Sequence, residues 1–145
     1  MDIPTPKPAQ VIRYAYLWAD EHAAGHEEGR KDRPVALVMT LQAGSNSLKV
    51  AVLPITNTPP GQTGDALEIP AVMKRHLGLD DDRSWIIRDE LNVFQWPGPD
   101  LRPSASADSD TILFGYLPPG FSRIVRDRVA ANIRAKKLRQ VPRTE

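Results

Sequence analysis

The sequence predicts a mainly β chain with some helix, its strands rolled into one small, strongly bent barrel that a terminal helix caps. Three observations carry this. Five to seven short runs rich in Val, Ile and aromatic residues alternate with polar, turn-forming stretches. Prolines number 14 against 9 glycines and recur through the middle of the chain, too often for long helices. Only two stretches carry helical spacing. At 145 residues the chain has enough material for one hydrophobic core.

Residues 1–9 read as a flexible lead-in, 10–138 as the single domain and 139–145 as a polar tail. Val11 to Trp18 (VIRYAYLW) is the first strand, since aromatic and β-branched side chains fit a pleated surface. Asp20 to Asp32 is polar and reads as a loop. Pro34 to Thr40 (PVALVMT) is a continuous apolar run, as in a strand buried on both faces. After turn material at 43–47, Leu48 to Thr56 (LKVAVLPIT) makes its hairpin partner. A loop with two prolines and two glycines covers 59–64. Ala66 to Ile69 is a short strand, and Pro70 then opens a helix over Ala71–Leu77 that Gly78 stops. Asp80, Asp81 and Asp82 form a turn. Ser84 to Asp89 and Asn92 to Trp96 are strands, Pro97 to Asp110 a mobile loop, and Ile112 to Tyr116 a last strand. From Phe121 to Leu138 the residues Phe121, Ile124, Val125, Val129 and Ile133 recur at steps of three and four, predicting a helix with one apolar stripe.

Composition narrows the function. Hydrophobic residues at 41% and charged residues at 26% are those of a globular domain. No run of ~18 apolar residues exists to span a membrane. Met1 to Gln10 has three prolines and no apolar core, so it does not read as a secretory signal. With no cysteine, disulfides, thiolate metal sites and cysteine nucleophiles are excluded, and a cytoplasmic location is expected. Three histidines (His22, His26, His76) offer little to a metal, and the aspartate run lacks calcium-loop spacing. Neither metal nor cofactor is expected. Net charge is +1, but residues 121–145 carry +6 and residues 1–120 carry −5. Such a basic segment suits nucleic acid or an acidic partner, or else a solvated helix face.

Three polar spots fall where strands end. The first, Gly25 to Pro34, presents His26 with Arg30, Lys31 and Arg33 just before a buried strand. It is either a charged solvated loop or a wrap around a phosphate-bearing chain, whose oxygens match arginine forks. The second, Pro54 to Thr58, places Thr56, Asn57 and Thr58 after a strand, as ligand donors or as local side-chain turns. The third is Arg88-Asp89-Glu90. On a continuous strand Arg88 and Glu90 share a face, giving either a structural salt bridge or an acid–base pair suited to phosphodiester cleavage.

The ordered set resembles the MazF/PemK/Kid family of toxin–antitoxin ribonucleases. The likeness runs through Ala24-Gly25-His26-Glu27-Glu28-Gly29 and Arg33-Pro34-Val35-Ala36-Leu37-Val38. It continues in Val52-Leu53-Pro54-Ile55-Thr56, Leu67-Glu68-Ile69 and Ile86-Ile87-Arg88-Asp89-Glu90, and resumes at the terminal helix. The resemblance implies an SH3-like barrel that works as a homodimer. It also implies metal-independent cleavage of single-stranded RNA by attack of the 2′-hydroxyl on the adjacent phosphate, with an antitoxin protein as partner. Glu90 would be the base, Arg88 the acid or phosphate clamp, Arg33 the loop arginine and His26 an assisting group. Thr56, Asn57, Arg30 and Ser84 would contact RNA. The alternative is a catalytically silent relative that acts by binding, either as a gyrase inhibitor or as an RNA-binding module. An interaction module built on the 97–110 loop is a third class.

Overall fold

The computed structural model describes residues 3–26, 29, 31–42, 44, 47–61, 64–104 and 111–143. In chain order the elements are β1 (Gln10–Tyr14), α1 (Ala19–Ala23), β2 (Arg33–Gln42), β3 (Leu48–Thr56), β4 (Ala66–Glu68) and α2 (Ala71–Leu77). These are followed by β5 (Trp85–Ile87), β6 (Glu90–Trp96), β7 (Leu101–Arg102), β8 (Leu113–Tyr116), α3 (Pro119–Arg134) and β9 (Arg139–Pro142). The chain is mainly β with three helices among the described residues. None of these helices is long and apolar enough to cross a membrane.

The strands form one sheet ordered β4-β5-β3-β2-β1-β7. The β2–β3 hairpin is its spine, with Val35 opposite Pro54 and Gln42 opposite Leu48. One edge of β3 serves two partners: β6 pairs with Leu48–Val52, and β5 with Ile55 and Thr56. The outer edge of β1 is likewise shared by β7 and β8. Beyond β6 lies β9, in parallel register from Glu90–Arg139 to Val93–Pro142.

Both faces of the central strands are buried, which is why β2 and β3 read as unbroken apolar runs. On one face Val11, Ala51, Leu53 and Leu91 pack with Phe121, Val125 and Val129 of α3. On the other, Ile12, Tyr14, Val35, Val50, Val52 and Phe94 pack the sheet against itself. Tyr14 of β1 stacks on Phe94 of β6 with ring centroids 4.4 Å apart, though two strands lie between them in the order. The sheet therefore curls.

The curl does not close as a barrel. No ladder joins β6 or β9 to β1 or β7 among the described residues. Side chains cross the gap instead. Asn92 acts as a substitute rung: Leu17 N–H donates to its Oδ1 at 2.9 Å, and its Nδ2 donates to the Leu17 carbonyl at 2.7 Å. Arg143 donates to the Ala15 carbonyl at 2.7 Å, to Asn92 Oδ1 at 3.2 Å and to Asp100 Oδ2 at 2.6 Å, with its guanidinium over Tyr14.

Several expectations are corrected. The polar tail predicted for 139–145 contains β9, because Val141 is buried and the Arg143 side chain finds acceptors inside the fold. The first strand stops at Tyr14 rather than Trp18, because Ala15 and Leu17 give their N–H groups to Asp100 and Asn92. The predicted loop after it begins with α1, whose N-terminus is boxed by Glu21 accepting from Trp18 N–H at 3.1 Å. The lead-in is tied down at its end, with Ala9 bonded to Leu37 and to Leu117. The 97–110 loop contains β7, and its residues 105–110 lie outside the described residues. On α3, Ile124 and Ile133 face solvent; Ser122 and Asn132 are buried in their place.

Candidate functional site

The ends of β1, β2, β3 and β5 converge on a cleft of about 590 Å³. Its lining draws on Arg13, Trp18, Lys31, Asp32 and Arg33 around the start of β2, and on Thr56, Asn57, Asp80 and Ser84 around the end of β3 and the start of β5. This gathers four of the predicted residues, Arg33, Thr56, Asn57 and Ser84. The hairpin explains the meeting, since its register sets the start of β2 across from the end of β3.

Arg33 is half-buried, with its guanidinium 4.9 Å from the centre of the Trp18 ring. Burial lowers its pKa, while Glu21 and Tyr16 pull it back up. Its Nε is buried and has no hydrogen-bond partner among the described residues. Stacking on Trp18 fixes the plane of the guanidinium, whose fork matches the oxygens of an anion. Thr56 Oγ1 accepts from Thr58 N–H at 3.1 Å, the local turn weighed above, and remains in the cleft wall. Ser84 is buried, and its Oγ accepts from Asn57 Nδ2 at 2.9 Å.

A smaller cavity of about 260 Å³ adjoins this cleft through Trp18, Lys31 and Arg33, and Tyr16 and Glu21 complete its lining. Behind Tyr16 lies Glu90, at 5% exposure. Glu90 Oε2 accepts from Tyr16 Oη at 3.0 Å and from Ala19 N–H at 2.9 Å; Oε1 accepts from Arg139 Nη2 at 3.3 Å. Burial raises its pKa, and these three donors do not fully offset that. The carboxylate is thus a stronger base than an exposed glutamate. Burial and the Glu90 charge push the Tyr16 hydroxyl well above its usual range, so Tyr16 stays a donor.

Arg88 and Glu90 are not brought together. The chain bends between β5 and β6 at Arg88 and Asp89, so the strand alternation that would put them on one face is interrupted. Arg88 pairs with Asp65 at 2.9 Å, and Asp65 also accepts from Arg128 and Asn132 of α3. Arg88 thereby pins α3 to the sheet. His26 is exposed in the turn after α1 and takes no part in the cleft lining. Arg30 lies outside the described residues. Among the described residues, no group of three His, Asp or Glu side chains is placed to hold a metal.

Comparison with family models, curated proteins and solved structures finds no match. The site therefore stands on its own geometry. Sequence reasoning missed Tyr16 and Trp18, read only as strand residues, and Arg13, whose position in β1 gave no signal. It also missed Arg139, assigned to the tail, where only the flanking of Val141 by polar residues hinted at a strand.

Proposed function

We propose that the chain is a metal-independent endoribonuclease that binds single-stranded RNA in the 590 Å³ cleft. The observation that carries this is the convergence of Arg33, Lys31 and Arg13 with Thr56, Asn57 and Ser84 on one concave surface, joined to the buried Glu90 through Tyr16, which lines the adjoining cavity and donates to that carboxylate. In the reaction, Glu90 takes the proton of a ribose 2′-hydroxyl as O2′ bonds to phosphorus. The bond from phosphorus to the 5′-oxygen breaks, and solvent supplies that oxygen with a proton. Arg33 holds the phosphate oxygens, the role for which its stacked guanidinium is preorganised. On this reading the curled sheet is an opened variant of the SH3-like barrel. The protein works in the cytoplasm as a homodimer, and an antitoxin protein covers the cleft.

Binding without cleavage is the second reading. It is favoured by the commitment of Arg88 to Asp65 and by the three donors already on Glu90. The deciding experiment incubates mixed-sequence single-stranded RNA with wild type, Glu90→Gln and Arg33→Ala protein in EDTA. The ribonuclease reading expects wild-type cleavage ending in a 2′,3′-cyclic phosphate and none from Glu90→Gln. RNA that is bound by wild type, released by Arg33→Ala and never cut selects the binding reading. Absence of both cleavage and binding refutes both.

A further inference from the structure

The part of the cleft lining around Asn57 and Asp80 presents hydrogen-bond acceptors whose neighbouring donors are already used. Asp80 Oδ1 accepts from Lys74 Nζ at 2.6 Å, from Asp82 N–H at 3.2 Å and from Asn57 Nδ2 at 3.3 Å. Lys74 is 5% exposed and also donates to the Asp82 carbonyl, so a buried ammonium fixes the carboxylate from behind. Asn57 Nδ2 spends its hydrogens on Asp80, the Arg83 carbonyl at 3.0 Å and Ser84 Oγ at 2.9 Å. Two atoms remain without partners among the described residues: Asp80 Oδ2 and Asn57 Oδ1. Both are acceptors, they belong to hydrogen-bonded neighbours, and both residues line the cleft. Burial raises the Asp80 pKa, but the hydrogen bond and charge of Lys74, with Asn57 and Asp82, outweigh it and hold the group ionised.

A fixed carboxylate repels phosphate, so this part of the lining does not follow the RNA backbone. The phosphate belongs with the cations of the lining, Arg13, Lys31 and Arg33, where the charge of Asp32 is met by Arg102 at 3.6 Å. What suits two acceptors on hydrogen-bonded neighbours is an edge with two adjacent donors. Of the four RNA bases, guanine alone has that on its Watson–Crick edge, in N1–H and the N2 amino group. Adenine and cytosine offer one donor beside an acceptor, and uracil one N–H between two carbonyls. We propose that Asp80 and Asn57 select guanine in the bound strand. Asp80 is half exposed and Asn57 exposed, so their acceptors lose water only when a base covers them, and a base without matching donors then leaves them unpaired.

The inference rests on the RNA-binding reading of the cleft, and the test separates the two. The probes are hexauridylate and three hexamers in which guanine, hypoxanthine or adenine replaces the third uracil. All carry 2′-fluoro ribose, which cannot attack phosphorus, and binding is read by fluorescence anisotropy. The guanine hexamer is expected to bind wild type about tenfold more tightly than hexauridylate. Hypoxanthine, which keeps N1–H and lacks the amino group, falls between, and adenine does no better than uracil. Asn57→Ala, which leaves the Lys74–Asp80 pair in place, should flatten the series. So should Asp80→Asn, checked by thermal melting because it leaves Lys74 beside a neutral amide. Equal binding of the guanine and adenine hexamers by wild type overturns the inference and leaves the RNA reading standing. A guanine preference that survives both substitutions overturns the assignment to these residues. Failure of every hexamer to bind overturns both the inference and the reading.

Discussion

Replacing Arg143 by alanine removes the guanidinium that holds the two ends of the curled sheet together. The side chain is 2% exposed and makes its ion pair with Asp100 at 2.6 Å. Truncation strands two acceptors, the Ala15 carbonyl and the Asp100 carboxylate, while Asn92 Oδ1 keeps its bond from Leu17 N–H. It also strips the guanidinium from the Tyr14 ring. Breaking a buried pair by removing one partner costs about 3–5 kcal/mol. Asp100 is one-fifth exposed and has Arg102 at 3.6 Å, which places the cost at the lower end, about 3 kcal/mol. In urea, with a slope of about 2 kcal/mol per molar for a small domain, the midpoint should fall by about 1.5 M with the slope unchanged. A fall of less than about 0.5 M would refute the reasoning, because the fold would then hold its curl without the clasp.

Two further outcomes are expected. Burial raises the pKa of Asp65, but hydrogen bonds from Asn132 and Arg128 and the charges of Arg88 and Arg128 hold it below the ordinary carboxylate value. A folded pKa below the unfolded one gives stability that is full above the unfolded value and lost as pH falls through the folded one. The stability gap between wild type and Asp65→Asn should therefore narrow as pH falls below about 4, read by urea titrations at each pH, and a constant gap would contradict it. Gly29→Ala would drive its Cβ into the backbone carbonyl of Tyr16, so it should cost about 1–3 kcal/mol in a thermal melt, whereas an unchanged melt would refute this close approach.

The strands were legible because both faces of β2 and β3 are buried, so the runs from 34 to 40 and 48 to 56 admit little else. The short helix was legible from its punctuation, with Pro70 before it and Gly78 after it in the left-handed conformation. The cleft was partly legible, since Arg33, Thr56 and Asn57 stand at strand ends. Strand alternation and the family resemblance together paired Glu90 with Arg88. A two-residue bend defeated that, and nothing in Arg88-Asp89-Glu90 tells a bend from a continuous strand. Asp65, which takes Arg88 instead, lies 23 residues away, and its other partners come from α3. Arg143 was illegible for the same reason. A basic residue beyond a helix reads as solvated until its three acceptors are known, and they come from separate parts of the chain.

The clasp also bears on how fast the fold can assemble. The β2–β3 hairpin closes a short loop and can form early. By contrast, Gln10 meets Tyr116 across 106 positions, and Arg143 meets Ala15 across 128. The entropy of closing such loops must be spent before their contacts give anything back, which slows chains rich in distant pairings. The contact of Arg143 with Ala15 is therefore expected to form after the β2–β3 hairpin. Until β9 docks, β6 shows an unpaired edge with Leu91 and Phe94 beside it, and this is the stage at which a neighbouring strand competes for that edge.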